Sequence, residues 1–317
     1  MKNNFKRISI LFLILLMVSS LLIACSNNNT NNQEENAGKT EASKGNYPVK
    51  IKDDFGNKVS IDKEPQRIVS IAPNHTEILF SLGLDDKIVG VTDYCDYPEE
   101  AKSKQKIGGF QDPNIEKIIE LNPDLVIQTG IVGEDTYKKL KEAGIAVLTL
   151  DPKSIQDVNK TLERVGIATN TKSQAKKIIN NINKQKDEVV NKVKNIKNKP
   201  KVFYEVWHEP LTTAGIGSFV DEFITLAGGE NIGRDAKGEY PQYSVEKLIE
   251  KNPDVYILTN HGRSENDLKS VAQLKSISAI KNNKVYVLDD NLVSRAGPRI
   301  TEGLKLVAES LHPELFK

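Results

Sequence analysis

Cysteine is almost missing from this chain of 317 residues, which carries only Cys25 and Cys95. Since Cys25 precedes the folded part, that part holds one thiol and closes no disulfide of its own. Neither charge sign dominates: 44 Lys and Arg stand against 43 Asp and Glu, a balance that argues against a nucleic-acid footprint. The signatures of common chemistries are also missing. There is no HExxH or paired CxxC spacing for a metal, and no GxSxG turn for a nucleophilic serine. "GIGS" at 215–218 resembles a phosphate-cradling loop but lacks the P-loop lysine, and Ser218 with Asp221 three residues on reads better as a helix cap. Aromatic residues make up 6% of the chain, with a single tryptophan, Trp207, so wherever they gather is informative.

What the first 25 residues do contain is a basic start, "MKNNFKR", an apolar run, "ISILFLILLMVSSLLIA", and then Cys25. That order describes an export signal over residues 1–24. "LIAC" resembles the lipobox of bacterial lipoproteins, which implies cleavage before Cys25 and thioether lipidation of it. The alternative is an uncleaved anchor, the apolar run being about the shortest that spans a bilayer. Either way the rest faces outside the cytoplasm, on the cell membrane. Residues 25–46 hold no large apolar side chain and read as a disordered tether, about 25 Å in root-mean-square reach. Without Lys2, Lys6 and Arg7 the acids outnumber the bases by two. About 270 residues remain, more than one compact core usually holds, so two lobes are expected.

Short β-branched runs mark seven strands. Four lie in the first half, at 67–71, 87–92, 124–129 and 146–151; three follow at 201–207, 254–259 and 284–289. Helical periods between them, such as Tyr137 with Leu140 and Phe219 with Phe223, predict parallel sheets covered by helices. The fold class is therefore α/β, with a lobe over 47–152, a helical linker over 153–199 and a second lobe over 200–317. In the linker, Ser154 has N-cap spacing with Asp157. Beyond Thr171, apolar residues at 175, 178, 179, 182, 189, 190, 193 and 196 form one helical stripe, interrupted for coiled-coil purposes by Gln185 and Lys186. A single long helix strapped across both lobes is expected, ending before Pro200.

The chain also repeats itself. "EKIIELNPDLVI" at 116–127 and "EKLIEKNPDVYI" at 246–257 agree at eight of twelve positions. Asn114 and Ser244 are good N-caps. The helices must end at Asn122 and Asn252, because each precedes a proline. Each lobe thus carries one helix–turn–strand unit with Glu116 or Glu246 in its first turn, away from the buried stripe. Two readings stand: the acids complement the helix dipole, or they dock a two-fold partner.

Ligands of open α/β sheets bind past the carboxyl ends of the strands. The loops there collect His75, His208 and His261, Tyr94, Tyr97, Phe110, Tyr240 and Tyr243, Trp207, and Arg263, Arg295 and Arg299. This describes an aromatic-walled cleft suited to a large, flat or apolar ligand with polar edges. The plainer readings are that Tyr97 braces a turn before Pro98, that Cys95 is a packed thiol, and that Arg295 makes a surface salt bridge. Three histidines on three loops read as ordinary polar groups or as a metal site of a surface enzyme.

Five blocks, "RIVSIAPNHTEILFSLGL", "VGVTDYCDYPEEAK", "IGGFQDPNIEKIIELNPDLVI", "LTTAGIGSFVDEFITLAGGENI" and "YPQYSVEKLIEKNPDVYIL", resemble in order those of the substrate-binding proteins of ABC importers for cobalamin and ferric siderophores. The resemblance covers about residues 48–315. It implies two Rossmann-like lobes joined by one long helix, a ligand cleft between them, and no enzymatic activity or cofactor. It implies a lipid-anchored monomer whose partner is a permease dimer with ATPase subunits, receiving Glu116 and Glu246 in arginine-lined pockets. The cobalamin binders match best, with Tyr94, Phe110 and Tyr240 lining the corrin; Phe110 and Tyr240 stand where a tryptophan is usual, which leaves haem or a ferric siderophore as the alternative. Arg295 matches a cleft arginine that answers an anionic ligand. Together with His75 and Trp207 these are the candidate ligand-binding residues.

Overall fold

The computed structural model describes residues 47–317; the export signal, Cys25 and the tether lie outside the described residues. The chain opens with a hairpin that strand counting misses, β1 (Val49–Lys52) against β2 (Lys58–Ile61). Its turn is held by Asp53, whose carboxylate accepts from the backbone N–H groups of Phe55 (3.0 Å), Asn57 (2.8 Å) and Thr149 (3.3 Å). The last bond ties the hairpin to the first sheet.

That sheet contains β3 (Ile68–Ser70), β4 (Ile88–Val91), β5 (Leu125–Gln128) and β6 (Ala146–Thr149), all parallel, in the order β4-β3-β5-β6. Helices α1 (Pro73–Ser81), α2 (Ile115–Glu120) and α3 (Glu134–Glu142) connect its strands. Two linker helices follow, α4 (Ile155–Ala168), capped by Ser154 as expected, and α5 (Lys172–Val193). The second sheet is β11-β10-β7-β8, built from β7 (Lys201–His208), β8 (Leu211–Thr213), β10 (Val255–Thr259) and β11 (Val285–Leu288), with β9 (Glu230–Asn231) beside β7. Here β8 runs antiparallel to β7, a local exception to the parallel pattern. Around this sheet lie α6 (Phe219–Leu226), α7 (Val245–Lys251), α8 (Glu265–Ser270) and α9 (Ile300–Leu311). All seven expected strands are present, and among the described residues no helix is long and apolar enough to cross a membrane.

Alternate residues of each central strand serve different cores, as the pleat requires. Ile68, Leu125 and Ile127 in the first lobe, and Val202, Tyr204, Val255 and Ile257 in the second, enter one shared cluster. That cluster runs on through Val158 and Leu162 of α4, Ile182 and Val189 of α5, and Leu304 and Val307 of α9. Val69, Val126 and Ile118 form a private core in the first lobe; Phe203, Tyr256 and Leu248 form one in the second. Helix α5, about 33 Å long at 1.5 Å per residue, is therefore one plank of a continuous apolar joint. Polar bonds pin it to both neighbours: Asn159 donates to Asn183 at 3.0 Å, and Thr301 of α9 bonds Gln185.

The repeated phrase folds as a repeated unit. Asn114 and Ser244 each accept the backbone N–H three residues on, and each helix puts one buried side chain, Ile118 or Leu248, on the private core. Asn122 and Asn252 turn the chain with φ of 46° and 47°, the left-handed conformation that asparagine tolerates. Asp124 and Asp254 then each accept from the backbone at the head of the neighbouring strand: Arg67 N–H at 3.1 Å and Lys201 N–H at 2.9 Å.

Candidate ligand-binding cleft

The carboxyl ends of both sheets open onto one cleft of about 660 Å³ between the lobes. From the first lobe come Pro73, Phe110, Thr129, Ile131 and Asp151, with Lys153 at the head of the linker; from the second lobe come Phe219, Glu239, Tyr240, Asp290, Ser294 and Arg295. Phe110 and Tyr240 thus line it from opposite lobes. Tyr94 flanks Phe110 edge-on, with ring centroids 5.6 Å apart, and is itself exposed.

Two of the candidate residues sit elsewhere. His75 belongs to α1, not to a loop, because Pro73 starts a helix there, and its ring is 1% exposed. Neither ring nitrogen has a partner of good hydrogen-bond geometry, although the Leu150 backbone is close, and burial pushes its pKa down to about 4. Trp207 is exposed on β7 next to the β8 hairpin, outside the cleft lining, where its Nε1–H donates to the Glu209 carbonyl at 3.0 Å. His208 and His261 are exposed, and among the described residues no group of three or more His, Cys, Asp or Glu could hold a metal ion. Cys95 is buried, with its sulfur 3.1 Å from the hydroxyls of Thr76 and Thr92, as a packed thiol should be.

The three arginines of the strand-end loops are each engaged with a carboxylate. Arg263 pairs with buried Glu205, which also accepts from the Tyr256 hydroxyl. Arg299 grips Glu77 of α1 through two bonds, 2.6 and 2.9 Å, and the Tyr97 ring stacks 3.7 Å from its guanidinium carbon. Arg295 reaches Asp96 at 2.7 Å and Glu77 at 3.3 Å. Burial alone would raise the Asp96 carboxyl, but the hydrogen bond and charge of Arg295 hold it below the usual carboxylate range. Since Glu77 and Asp96 belong to the first lobe and both arginines to the second, this cluster crosses the interface. Arg295 lines the cleft with its charge already matched, as in the salt-bridge reading, with one partner, Asp96, at the surface and the other, Glu77, buried. Tyr97 does more than brace a turn.

Sequence reasoning passed over Glu77, Asp151, Lys153, Glu239 and Asp290. Lys153 bridges the cleft to Glu239 at 2.9 Å, and this bond raises its pKa. Burial keeps the Asp151 carboxyl above its ordinary value, with Lys153 pulling the other way and Asp54 and Glu239 adding to the rise. Glu77 did leave a signal: a lone acid in "TEILF", inside an apolar stretch, demands a partner.

Outside the cleft, Glu116 and Glu246 are both exposed, at the same place in their units. Their helices cover the two private cores, on the faces of the sheets turned away from the shared joint.

A family model described as "Periplasmic binding protein" matches residues 68–292. The ABC transporter substrate-binding lipoprotein YvrC of Bacillus subtilis (strain 168) is 37% identical over 278 residues, which span 86% of this chain and 88% of that protein. A vitamin B12-binding protein of Vibrio parahaemolyticus is 29% identical over 259 residues, covering 80% of this chain and 93% of that one. Among solved structures, the periplasmic heme-binding protein RhuT of Roseiflexus sp. RS-1, in apo form, aligns with a TM-score of 0.72 at 26% identity, covering 79% of this chain and 99% of that one.

Proposed function

This chain belongs to the periplasmic binding protein family, and from that premise we propose that it is the extracytoplasmic, lipid-anchored substrate-binding protein of an ABC importer, capturing a corrinoid, most simply cobalamin, for delivery to a permease. The observation that carries the reading is the inter-lobe cleft walled by Phe110 and Tyr240, with its arginine charge already neutralised. A carrier needs a shaped ground-state site and later release, with no group tuned for proton transfer. The similarity to a vitamin B12-binding protein supports the ligand class. The second reading, haem or a ferric siderophore, is favoured by the likeness to a haem-binding fold and by Arg295 in the lining.

Cys25 would carry the lipid that holds the protein at the membrane, residues 25–46 would serve as its tether, and 47–152 and 200–317 would act as the two lobes around the linker. The permease dimer, with its ATPase subunits, would take one acid from each lobe, Glu116 and Glu246. The equivalent exposure of these acids on equivalent helices supports that pairing.

Isothermal titration against cyanocobalamin, haem and a ferric siderophore tests the ligand. Cyanocobalamin should bind in a one-to-one complex, and heat from haem or siderophore alone would replace the corrinoid reading with the second one. In cells, the Glu116→Ala/Glu246→Ala chain should keep its affinity and lose uptake; uptake at the wild-type rate would return both acids to the role of helix ends.

A further inference from the structure

Resting on the corrinoid-carrier reading, we infer that the cleft selects ligands whose rims carry amides rather than carboxylates, and that Asp151, Glu239 and Asp290 set this selectivity. The three acids line the cleft from both lobes, Asp151 from the first, Glu239 and Asp290 from the second. The guanidinium cations that could receive an anionic rim are committed, and the one lysine of the lining is matched by an exchangeable pair. Arg295 is shared between Glu77 and Asp96, Arg299 is clamped on Glu77, and Lys153 is paired with Glu239. The lining therefore carries an excess of negative charge.

Two unpartnered hydroxyls make the site more than a cluster of acids. Tyr204 is 2% exposed in the middle of β7, and its hydroxyl has no partner of good hydrogen-bond geometry, although the Ser294 side chain is close. It faces Asp290, Ser294 and Tyr240, all three of which line the cleft. On the opposite side Thr129, also in the lining, has a buried hydroxyl without a partner. A buried hydroxyl that has lost water without gaining a well-formed hydrogen bond can donate to a ligand.

A primary amide offers two N–H donors and one carbonyl acceptor. Its donors suit the carboxylates of Asp151, Glu239 and Asp290, and its carbonyl suits a donating hydroxyl. A carboxylate edge can only accept, so it would meet like charge and leave the acids without donors. Specificity of this kind arises as much from the repulsion of the wrong ligand as from attraction to the right one.

The test uses two corrins with the same ring, dicyanocobinamide with its amide rim and dicyanocobyrinate with carboxylates in their place. Titration of the wild-type chain should favour the amide form by at least about 100-fold, the scale at which opposed like charges operate in a buried contact. In the Asp151→Asn/Glu239→Gln/Asp290→Asn chain the ratio should narrow to within about 10-fold. Asp290 also accepts from Ser294 and starts a short helical turn, so the single Glu239→Gln chain keeps the test open if the triple variant misfolds; it too should narrow the ratio. Tight binding of the amide corrin with a ratio unmoved in the variants would overturn the selectivity while leaving the corrinoid carrier standing. Equal affinity of the wild-type chain for both corrins would do the same. Binding of neither corrin would end both readings.

Discussion

Two ion-pair sites join the lobes beside the same cleft, and they differ in how much water they keep. At Glu77 the carboxylate is 2% exposed and meets Arg295 and Arg299, themselves 16% and 18% exposed. At Lys153–Glu239 the partners are 52% and 41% exposed. A charge withdrawn from water must be matched where it lies, so Glu77 and its arginines are obligatory to one another. A charge still in water has a ready alternative partner, so the Lys153 pair can form or part at little cost. The molecule thus has a fixed bond on one side of the cleft and an exchangeable one on the other, backed by the apolar joint of α4, α5 and α9. That combination permits small adjustments around a ligand and resists a wide swing of the lobes.

Breaking the fixed site should have the largest effect on stability. Glu77→Ala leaves both guanidinium groups partly buried, with only Asp96 to answer them. Orphaning a buried pair costs about 3–5 kcal/mol, to be read from urea unfolding at neutral pH. A loss below about 1 kcal/mol would place Glu77 in the same class as Lys153 and dissolve the contrast.

His75 sharpens the comparison by pH, since it lies two residues from Glu77 on α1 and is wholly buried. Burial lowers its pKa from 6.5 to about 4, against a weaker opposing pull from the Leu150 backbone and the Asp54 charge. Between those values the unfolded chain binds the proton that the folded chain refuses. Stability should therefore fall as pH drops from 6.5 towards 4, by about 3 kcal/mol for this group. In His75→Leu, which cannot take up the proton, the fall over that window should be shallower by the same amount. Parallel stability profiles for the two chains would show that His75 is not what couples this side of the interface to pH.

Most of the fold was legible because strands and helices are local. Seven β-branched runs became seven strands, and the caps at Asn114, Ser154, Ser218 and Ser244 all form. The hairpins were missed because they are not continuous β-branched runs: β1 (VKIK) and β2 (KVSI) interleave lysine and serine with apolar residues around "DDFGN", and β8 (LTT) offers one large apolar side chain. Phe110, Tyr240 and Arg295 come to line one cleft because loops at strand ends converge whatever their sequence separation. The charge matching was not legible, since Glu77 and Arg295 are 218 residues apart and nothing local says that they meet. His75 went astray for a local reason: proline at the head of a helix was read as a loop, which turned a core-facing ring into a cleft residue.

The exchangeable site should give the smallest effect on stability. Lys153→Ala removes a pair whose members are about half in water, and exposed pairs are worth about 0–1 kcal/mol. Unfolding should shift by no more than that, and the small shift should shrink further at 0.5 M salt, where the Debye length is only a few ångströms. The ligand would report what stability cannot. Without Lys153, Glu239 faces the cleft with its charge unmatched, so the preference for an amide rim over a carboxylate rim should widen. If Lys153→Ala instead narrowed that preference, the lysine would be receiving the ligand's edge itself, and the pair could not be a simple latch between the lobes.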